Sequence, residues 1–328
     1  MIPISTERYG FTERNRCPAC HDGQVCSRYE TAFADGGICI FVRSYYGIDP
    51  EILSGQPYHL SECAACGLVF QKYIGDDRLL SALYTHWVSE PEDPERDIAT
   101  YRADIAAIRL TRDAHEIMAA SSFLGIPLAR LRTLDYGMGW ALWARISLGL
   151  GCASFGTDLA EPRMEFAGRH GVTAVTDAEI ADLQFDFINT EQVFEHVPQP
   201  LDLLRRLSKS LTPGGVIKLS LPSGETAPAL IAMLKQGRYA GDYRTIMPIQ
   251  PLEHINAFRK STIGVMAEAA GLQIVRPGLR HRYAFLRHRG AIDARNGRKV
   301  AKELIRPIYQ YRDRSNLFVW LRKAAGDR

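Results

Sequence analysis

Residues 133–161, TLDYGMGWALWARISLGLGCASFGTDLAE, decide how the chain is built. A short apolar run over 131–134 predicts a strand, and Asp135-Tyr136-Gly137-Met138-Gly139 breaks it. Residues 140–150 then show helical apolar spacing without proline, and a second strand leads to Asp158. A parallel βαβ unit requires this order. Glycine at 137 and 139 lets the backbone turn sharply and approach a ligand where a Cβ would clash. Asp158, at the end of the second strand, stands where nucleotide folds place an acid that accepts two ribose hydroxyl hydrogen bonds.

A glycine turn after the first strand is common to doubly wound domains, so the residue before the first glycine carries more information. Dinucleotide enzymes hold a diphosphate over this turn and the helix N-terminus, where partial positive charge favours an anion. A carboxylate at Asp135 repels a diphosphate. It suits a ligand with an ammonium group and no phosphate, such as S-adenosylmethionine (SAM).

The order of later segments strengthens this reading. Asp177-Ala178-Glu179 follows a third strand at 172–175, and residues 185–189 form a fourth strand. Glu191-Gln192-Val193-Phe194-Glu195-His196-Val197 comes next, and Pro213-Gly214-Gly215 turns into a fifth strand over 216–221. D-x-G-x-G followed by G-T-D and these segments resembles motifs I and II and the downstream motifs of class I SAM-dependent methyltransferases, over roughly residues 130–275. Ala141 stands where that family often has glycine. The resemblance implies an α/β fold, a doubly wound and mostly parallel seven-stranded sheet, with a sixth strand at 272–275 and an antiparallel seventh at 282–287. It further implies a cofactor site made by Asp135, Gly137, Gly139, Asp158, Leu159, Asp177, Ala178 and Glu191, with Asp177 and Ala178 near the adenine amine.

Outward from this domain, residues 1–75 hold six of the seven cysteines. Cys17-Pro18-Ala19-Cys20 and Cys63-Ala64-Ala65-Cys66 are paired C-x-x-C turns, which in a reducing compartment bind metal more often than they form disulfides. Four thiolates satisfy Zn2+ as a closed structural site. The 42 residues between the pairs exceed the usual ribbon separation, so they are expected to fold back as strands at 38–46 and 68–73. Cys26 and Cys39 read as buried apolar residues, and His21 and His59 as spare ligands that four cysteines make unnecessary. A redox role for the pairs is the rival, weakened because neither lies in a βαβ pattern.

The expected layout is a zinc-ribbon-like β module at 1–75, a helical linker or lid at 76–125, and the Rossmann-like domain at 126–290. A lid insertion at 225–257 and a basic helical extension at 291–328 complete it. Helices are expected at 76–88 and 95–123, with Trp87 and Tyr101 as candidate lid residues. Composition, 46% hydrophobic and 23% charged, is that of a soluble globular chain. An N-terminus without an apolar core argues against a secretory signal, and no stretch approaches the roughly 18 apolar residues of a spanning helix. A cytoplasmic protein is therefore expected.

Methyl transfer to a hydroxyl or carbon acid needs a base. His196, beyond the fourth strand, is the first candidate, and His254, at the end of the lid, the second, with Glu195 or Glu191 to orient an imidazole. Asn189-Thr190-Glu191-Gln192 stands where amino methylases of nucleobases carry Asn/Asp-Pro-Pro-Tyr/Phe, and there is no Pro-Cys nucleophile; Cys152 reads as core. The remaining acceptor is a small molecule methylated on oxygen or carbon. A four-cysteine module joined to this domain resembles bacterial methyltransferases of sugars, nucleotide-linked sugars or secondary metabolites.

Two rivals stay open. From residue 276 to 328 there are 15 Lys plus Arg against 4 Asp plus Glu, so an RNA methyltransferase could use this tail on phosphates. The N-terminal 75 residues argue against it, with 6 basic and 8 acidic residues, and nucleic acid is not the expected partner. A non-catalytic SAM-binding protein is the other. The sequence does not determine the oligomeric state.

Overall fold

A computed structural model describes residues 8–88, 103–287 and 304–324. Its strands, in chain order, are β1 (Phe11–Glu13), β2 (Val25–Thr31), β3 (Tyr58–Cys63), β4 (Val69–Gln71), β5 (Tyr73–Gly75), β6 (Arg132–Tyr136) and β7 (Ala153–Thr157). They continue with β8 (Thr173–Ala174), β9 (Phe185–Glu191), β10 (Leu211–Pro222), β11 (Asn256–Ala257), β12 (Leu272–Val275) and β13 (Asn316–Lys323). Two compact units result. One comprises Met1–Glu90, Phe194–Leu201 and Pro222–Ala269, and the other Pro91–Val193, Asp202–Leu221 and Ala270–Arg328.

The second unit is built on a seven-stranded sheet of order β12-β13-β10-β9-β6-β7-β8. β10, β9, β6, β7 and β8 pair in parallel, and β12 pairs antiparallel with β13. Six successive residues of β9 are buried, Phe185 through Thr190. Burial on both faces is what a central parallel strand demands, and its buried polar members are paired: Asp186 accepts from Arg132 N, Asn189 donates to Asp135, and Thr190 donates to the Lys218 carbonyl. Ile117, Leu131, Trp143, Phe187, Val216 and Trp320 make one core cluster, which Cys152 joins as expected. Because β6 is flanked by β7 on one side and β9 on the other, the chain reverses its winding there. Open α/β sheets leave their ligand crevice at such a point, beyond the carboxyl ends of the strands.

The seventh strand is β13, not residues 282–287, which form the end of a helix (Leu279–Arg282) and a 3-10 turn (Ala284–Arg287). Phe285 is buried and stacks on His115 at 3.7 Å, so its segment is pinned as a plug rather than extended as an edge strand. β13 lies inside the stretch expected to be a basic helical extension, although residues 304–309 there are helical. Residues 291–303 and 325–328 of that stretch lie outside the described residues, as do residues 288–290 and Tyr101.

In the first unit a four-stranded antiparallel sheet has the order β11-β4-β3-β2, and β1 pairs with β5. β11 comes from the 225–257 segment, so the stretch expected as a lid insertion completes the sheet of the N-terminal module. The expected strand at 38–46 is instead helical, an α-turn (Gly36–Phe41) running into a π-turn (Val42–Tyr46). Ile38, Phe41, Val42 and Tyr46 are all buried in one cluster, a spacing of three, four and eight that only a helix places on one face. Cys26 is exposed and Cys39 partly buried, against the expectation that both sit in a core. The helix Asp77–Ala82 begins as expected, with the Asp76 carboxylate accepting from Leu79 N at 2.8 Å. Trp87 packs edge-on against Tyr9, ring centroids 5.2 Å apart.

Candidate functional site

At the end of β6 the chain turns through Gly137 (φ 71°) and Gly139 (φ 54°). A Cβ at Gly137 would stand 2.6 Å from Val193 Cγ2, whereas one at Gly139 would meet nothing within 4 Å. The first glycine is thus required by packing, and the second leaves open space above the turn. Ala141, at φ 54° and fully buried, caps the helix Leu142–Gly149 in the left-handed region. That backbone explains why glycine suits this position elsewhere, and it costs an L-residue on the order of 1–2 kcal/mol.

Asp135 is buried just before the turn and accepts a hydrogen bond from Asn189 Nδ2 at 2.7 Å. Burial raises its carboxyl to about 7, against the opposing pull of Asn189 and Lys218. Beside it lies a charge network that sequence reasoning missed. Lys218 Nζ donates to Glu191 at 2.5 Å and to Glu116 at 3.2 Å, and Arg112 bridges Glu191 and Asp113. Burial pulls Lys218 down, but Glu116 and Glu191 outweigh it and hold it above its ordinary value. The available signal was a lysine inside an otherwise apolar run, Val216-Ile217-Lys218-Leu219. Glu191, expected to touch cofactor, is held by this network.

Asp158 lies at the end of β7 as expected. Its carboxylate accepts from Gly139 N at 2.9 Å and Ala160 N at 3.1 Å, and pairs with Arg163 at 2.9 Å. Acid and glycine turn are thereby joined directly. The next residue, Leu159, is fully exposed. Asp177 opens a short helix (Asp177–Ile180, including Ala178) behind a capping box of Thr176 and Glu179. Its carboxylate accepts from the Tyr136 hydroxyl at 2.9 Å and pairs with Arg206 at 3.0 Å.

In the first unit, Glu195, His196 and His254 come together, each offering a ligand atom within 4.8 Å of the others. Glu195 and His196 lie on a 3-10 turn (Phe194–His196), and Asn256 holds that turn by donating to the carbonyls of Phe194 (3.2 Å) and Val197 (2.7 Å). Arg14 in turn fixes Asn256 and donates to the carbonyls of Gln71 and Ile255. The imidazoles of His196 and His254 meet edge to face, centroids 4.9 Å apart. Tyr84 Oη lies 3.2 Å from His196 Nδ1, and His254 Nδ1 donates to the Met247 carbonyl. Glu195 Oε1 is 4.0 Å from His196 Nε2, beyond hydrogen-bond reach. Tyr84 and the Glu253 backbone, rather than a carboxylate, therefore orient this ring. Burial, then the charge of His254, push His196 down to about 3, and burial pushes His254 down to about 4. Both rings are neutral at pH 7. Tyr84, Asn256 and Arg14 carried no motif that could have marked them.

Cys17, Cys20, Cys63 and Cys66 also converge, with sulfur atoms within 4.8 Å of one another. Cys17 and Cys66 are 3.5 Å apart, and Cys20 and Cys63 3.6 Å. Each C-x-x-C turn is closed by a backbone bond, His21 N to Cys17 O and Gly67 N to Cys63 O. His21 and His59 are not in the cluster; His59 pairs with Glu30 at 3.0 Å.

A family description reading "Methyltransferase domain" matches residues 102–276, more than half of the chain. The ubiquinone biosynthesis O-methyltransferase of Thiobacillus denitrificans is 24% identical over 159 residues, covering 45% of this chain and 66% of that protein. That of Xanthomonas oryzae pv. oryzae is 27% identical over 170 residues, covering 48% and 64%. The chain thus spans just under two thirds of the length of these relatives. Among solved structures, the plantazolicin methyltransferase BamL with a desmethylPZN analog and SAH is 14% identical, with a TM-score of 0.47 over 75% of this chain and 94% of that one. Magnesium protoporphyrin IX methyltransferase from Synechocystis PCC 6803 is 13% identical, with a TM-score of 0.44 over 76% and 100%.

Proposed function

Because the chain belongs to the methyltransferase domain family, we propose that it transfers a methyl group from SAM to an oxygen or carbon of a small molecule. The acceptor class is a sugar, a nucleotide-linked sugar or a secondary metabolite. The observation that carries this reading is the buried Asp135 beneath a glycine turn at the point where the sheet reverses its winding. An anionic floor there favours a cationic ligand and disfavours a diphosphate.

SAM supplies an already activated sulfonium methyl. Gly137 and Gly139 let the backbone approach it, and Asp135 faces its positive end. Asp158 is positioned to receive ribose hydroxyls, and exposed Leu159 offers an apolar face to adenine. Asp177 and Ala178 serve the adenine edge, and Glu191, fixed by Lys218 and Arg112, closes the acidic side. The chemistry left to the protein is alignment, exclusion of water and removal of one proton. Neutral imidazoles at His196 and His254 suit the last task, with the charge of Glu195 stabilising an imidazolium once formed.

The four cysteines suit Zn2+ as a closed structural centre, because thiolates at this spacing repel one another until a cation neutralises them.

Acceptor-dependent release of S-adenosylhomocysteine, followed by mass spectrometry over a panel of sugar nucleotides and phenols, tests the assignment. His196→Ala is expected to lower kcat by about 10²–10⁴-fold with SAM affinity unchanged. Turnover confined to RNA would favour the nucleic-acid rival, and SAM binding without any turnover a non-catalytic protein.

The sign of a pH effect follows from Asp135. A carboxyl raised to about 7, above the ordinary ~3.9, makes its favourable contribution in the protonated form, and that contribution is lost as pH rises through the window between the two values. A cationic ligand reverses the preference and expels the proton. SAM affinity is therefore expected to rise with pH up to about 7, with proton release visible when titration heats are compared in buffers of different ionisation enthalpy. Asp135→Asn should remove that part of the pH dependence while leaving any part due to the amino group of SAM. Identical profiles for the two proteins would refute the role of Asp135.

A further inference from the structure

We propose that Glu195, His196 and His254 form a second site for a divalent first-row transition cation, distinct from the four-cysteine cluster. Two imidazoles and one carboxylate converge there, their ligand atoms within 4.8 Å of one another. A tetrahedral or octahedral shell with bonds of about 2.0–2.2 Å places neighbouring ligands roughly 3–3.5 Å apart. Side-chain rotations that bring the ligand atoms at most about 1–2 Å closer together close that gap.

The outer contacts favour ligation. A carbonyl can only accept, so the contact of His254 Nδ1 with Met247 O puts the ring proton on Nδ1 and leaves a lone pair on Nε2. His196 Nδ1 lies against the Tyr84 hydroxyl, which can accept as well as donate. When His196 Nε2 ligates, Nδ1–H donates to Tyr84, and the ring exchanges its contact with the Glu253 backbone for the metal bond. Metal-binding histidines characteristically donate their second ring nitrogen in this way. Glu195, 1% exposed, supplies the oxygen donor of the set.

The donor set decides the class of ion. Two nitrogens and one oxygen suit Zn2+, Co2+, Ni2+ or Fe2+ and are a poor match for Mg2+ or Ca2+, which take oxygen ligands. Three protein ligands leave positions open to solvent, so the ion should exchange more readily than one closed in by four thiolates. The lone pairs that would bind it are those assigned above to proton removal. Cation and proton then compete, and an excess of such a cation inhibits methyl transfer; this consequence rests on the proposed function, whereas the binding does not.

The test is titration of the whole chain, first loaded with one equivalent of Zn2+, with Co2+. It is read by visible cobalt absorption and by metal analysis after desalting. One Co2+ per chain beyond the zinc is expected, weakened about 10–100-fold in His254→Ala and in Glu195→Gln, with zinc content still one. Two variants are used so that a folding defect in either leaves the other informative. No cobalt beyond the zinc, or binding undiminished in both variants, overturns the site. Cobalt that binds without slowing methyl transfer leaves the site standing and refutes the base assignment.

Discussion

Replacing Lys218 with methionine is expected to destabilise the protein by about 3–5 kcal/mol, the cost of leaving a buried ion pair without one partner. Lys218 is 1% exposed and lies between Glu116 and Glu191. Methionine matches its length and restores none of its charge. Glu116, buried against Trp143 Nε1 at 3.2 Å, would lose its nearest cation, and burial already holds its carboxyl above the ordinary range. Arg112 would remain as the only cation on Glu191 among the contacts described. Guanidinium unfolding read by tryptophan fluorescence checks this, since Trp143 and Trp320 lie in the same core cluster. A loss below about 1 kcal/mol, the ordinary value of an exposed pair, would mean that water reaches the network and that it does not stiffen the floor beside Asp135.

Stripping the Zn2+ proposed for the four-cysteine cluster is expected to have the largest effect on the first unit. Structural zinc contributes on the order of 10 kcal/mol to small zinc-dependent folds. Here the sulfurs tie the turn at Cys17–Cys20 to the turn at the end of β3, and Thr262 Oγ1 donates to Cys66 O at 2.9 Å. Without an ion nothing bridges the four sulfurs, and the tie is lost. Treatment with a strong chelator under reducing conditions should therefore abolish protection of β2, β3, β4 and β11 against hydrogen exchange. The parallel sheet, with a core of its own, should keep its protection. Retention of exchange protection in β3 and β4 after complete metal loss would show that the cysteines merely pack.

The fate of the individual elements shows what a single sequence discloses. The βαβ unit was legible because its signals are local, an apolar run broken by glycines and an acid at a fixed distance. Asp135, Gly137, Gly139 and Asp158 accordingly stand together, with Gly139 N bonded to Asp158. The cysteine pairs were legible for the same reason. Residues 38–46 were misread because β-branched and aromatic residues suggested a strand, while burial on one helical face decided the outcome. The seventh strand was misplaced because residues 282–287 and 316–323 are both apolar with basic flanks, and only pairing with β12 tells them apart. β11 joins β4 across about 185 residues of chain, and no local pattern announces a pairing of that range. Lys218 and Tyr84 were overlooked for a related reason: each acquires its role from partners distant in sequence.

Calorimetric titration of the zinc-loaded protein with SAM, repeated on Asp158→Ala and Asp158→Asn, tests the central claim most directly. The wild type is expected to bind in the micromolar range. Both variants should bind about 100-fold more weakly, as loss of two hydrogen bonds to a carboxylate implies. Absence of binding by a folded wild-type protein free of copurified cofactor would contradict the methyltransferase reading, and unchanged affinity in both variants would contradict the placement of the site.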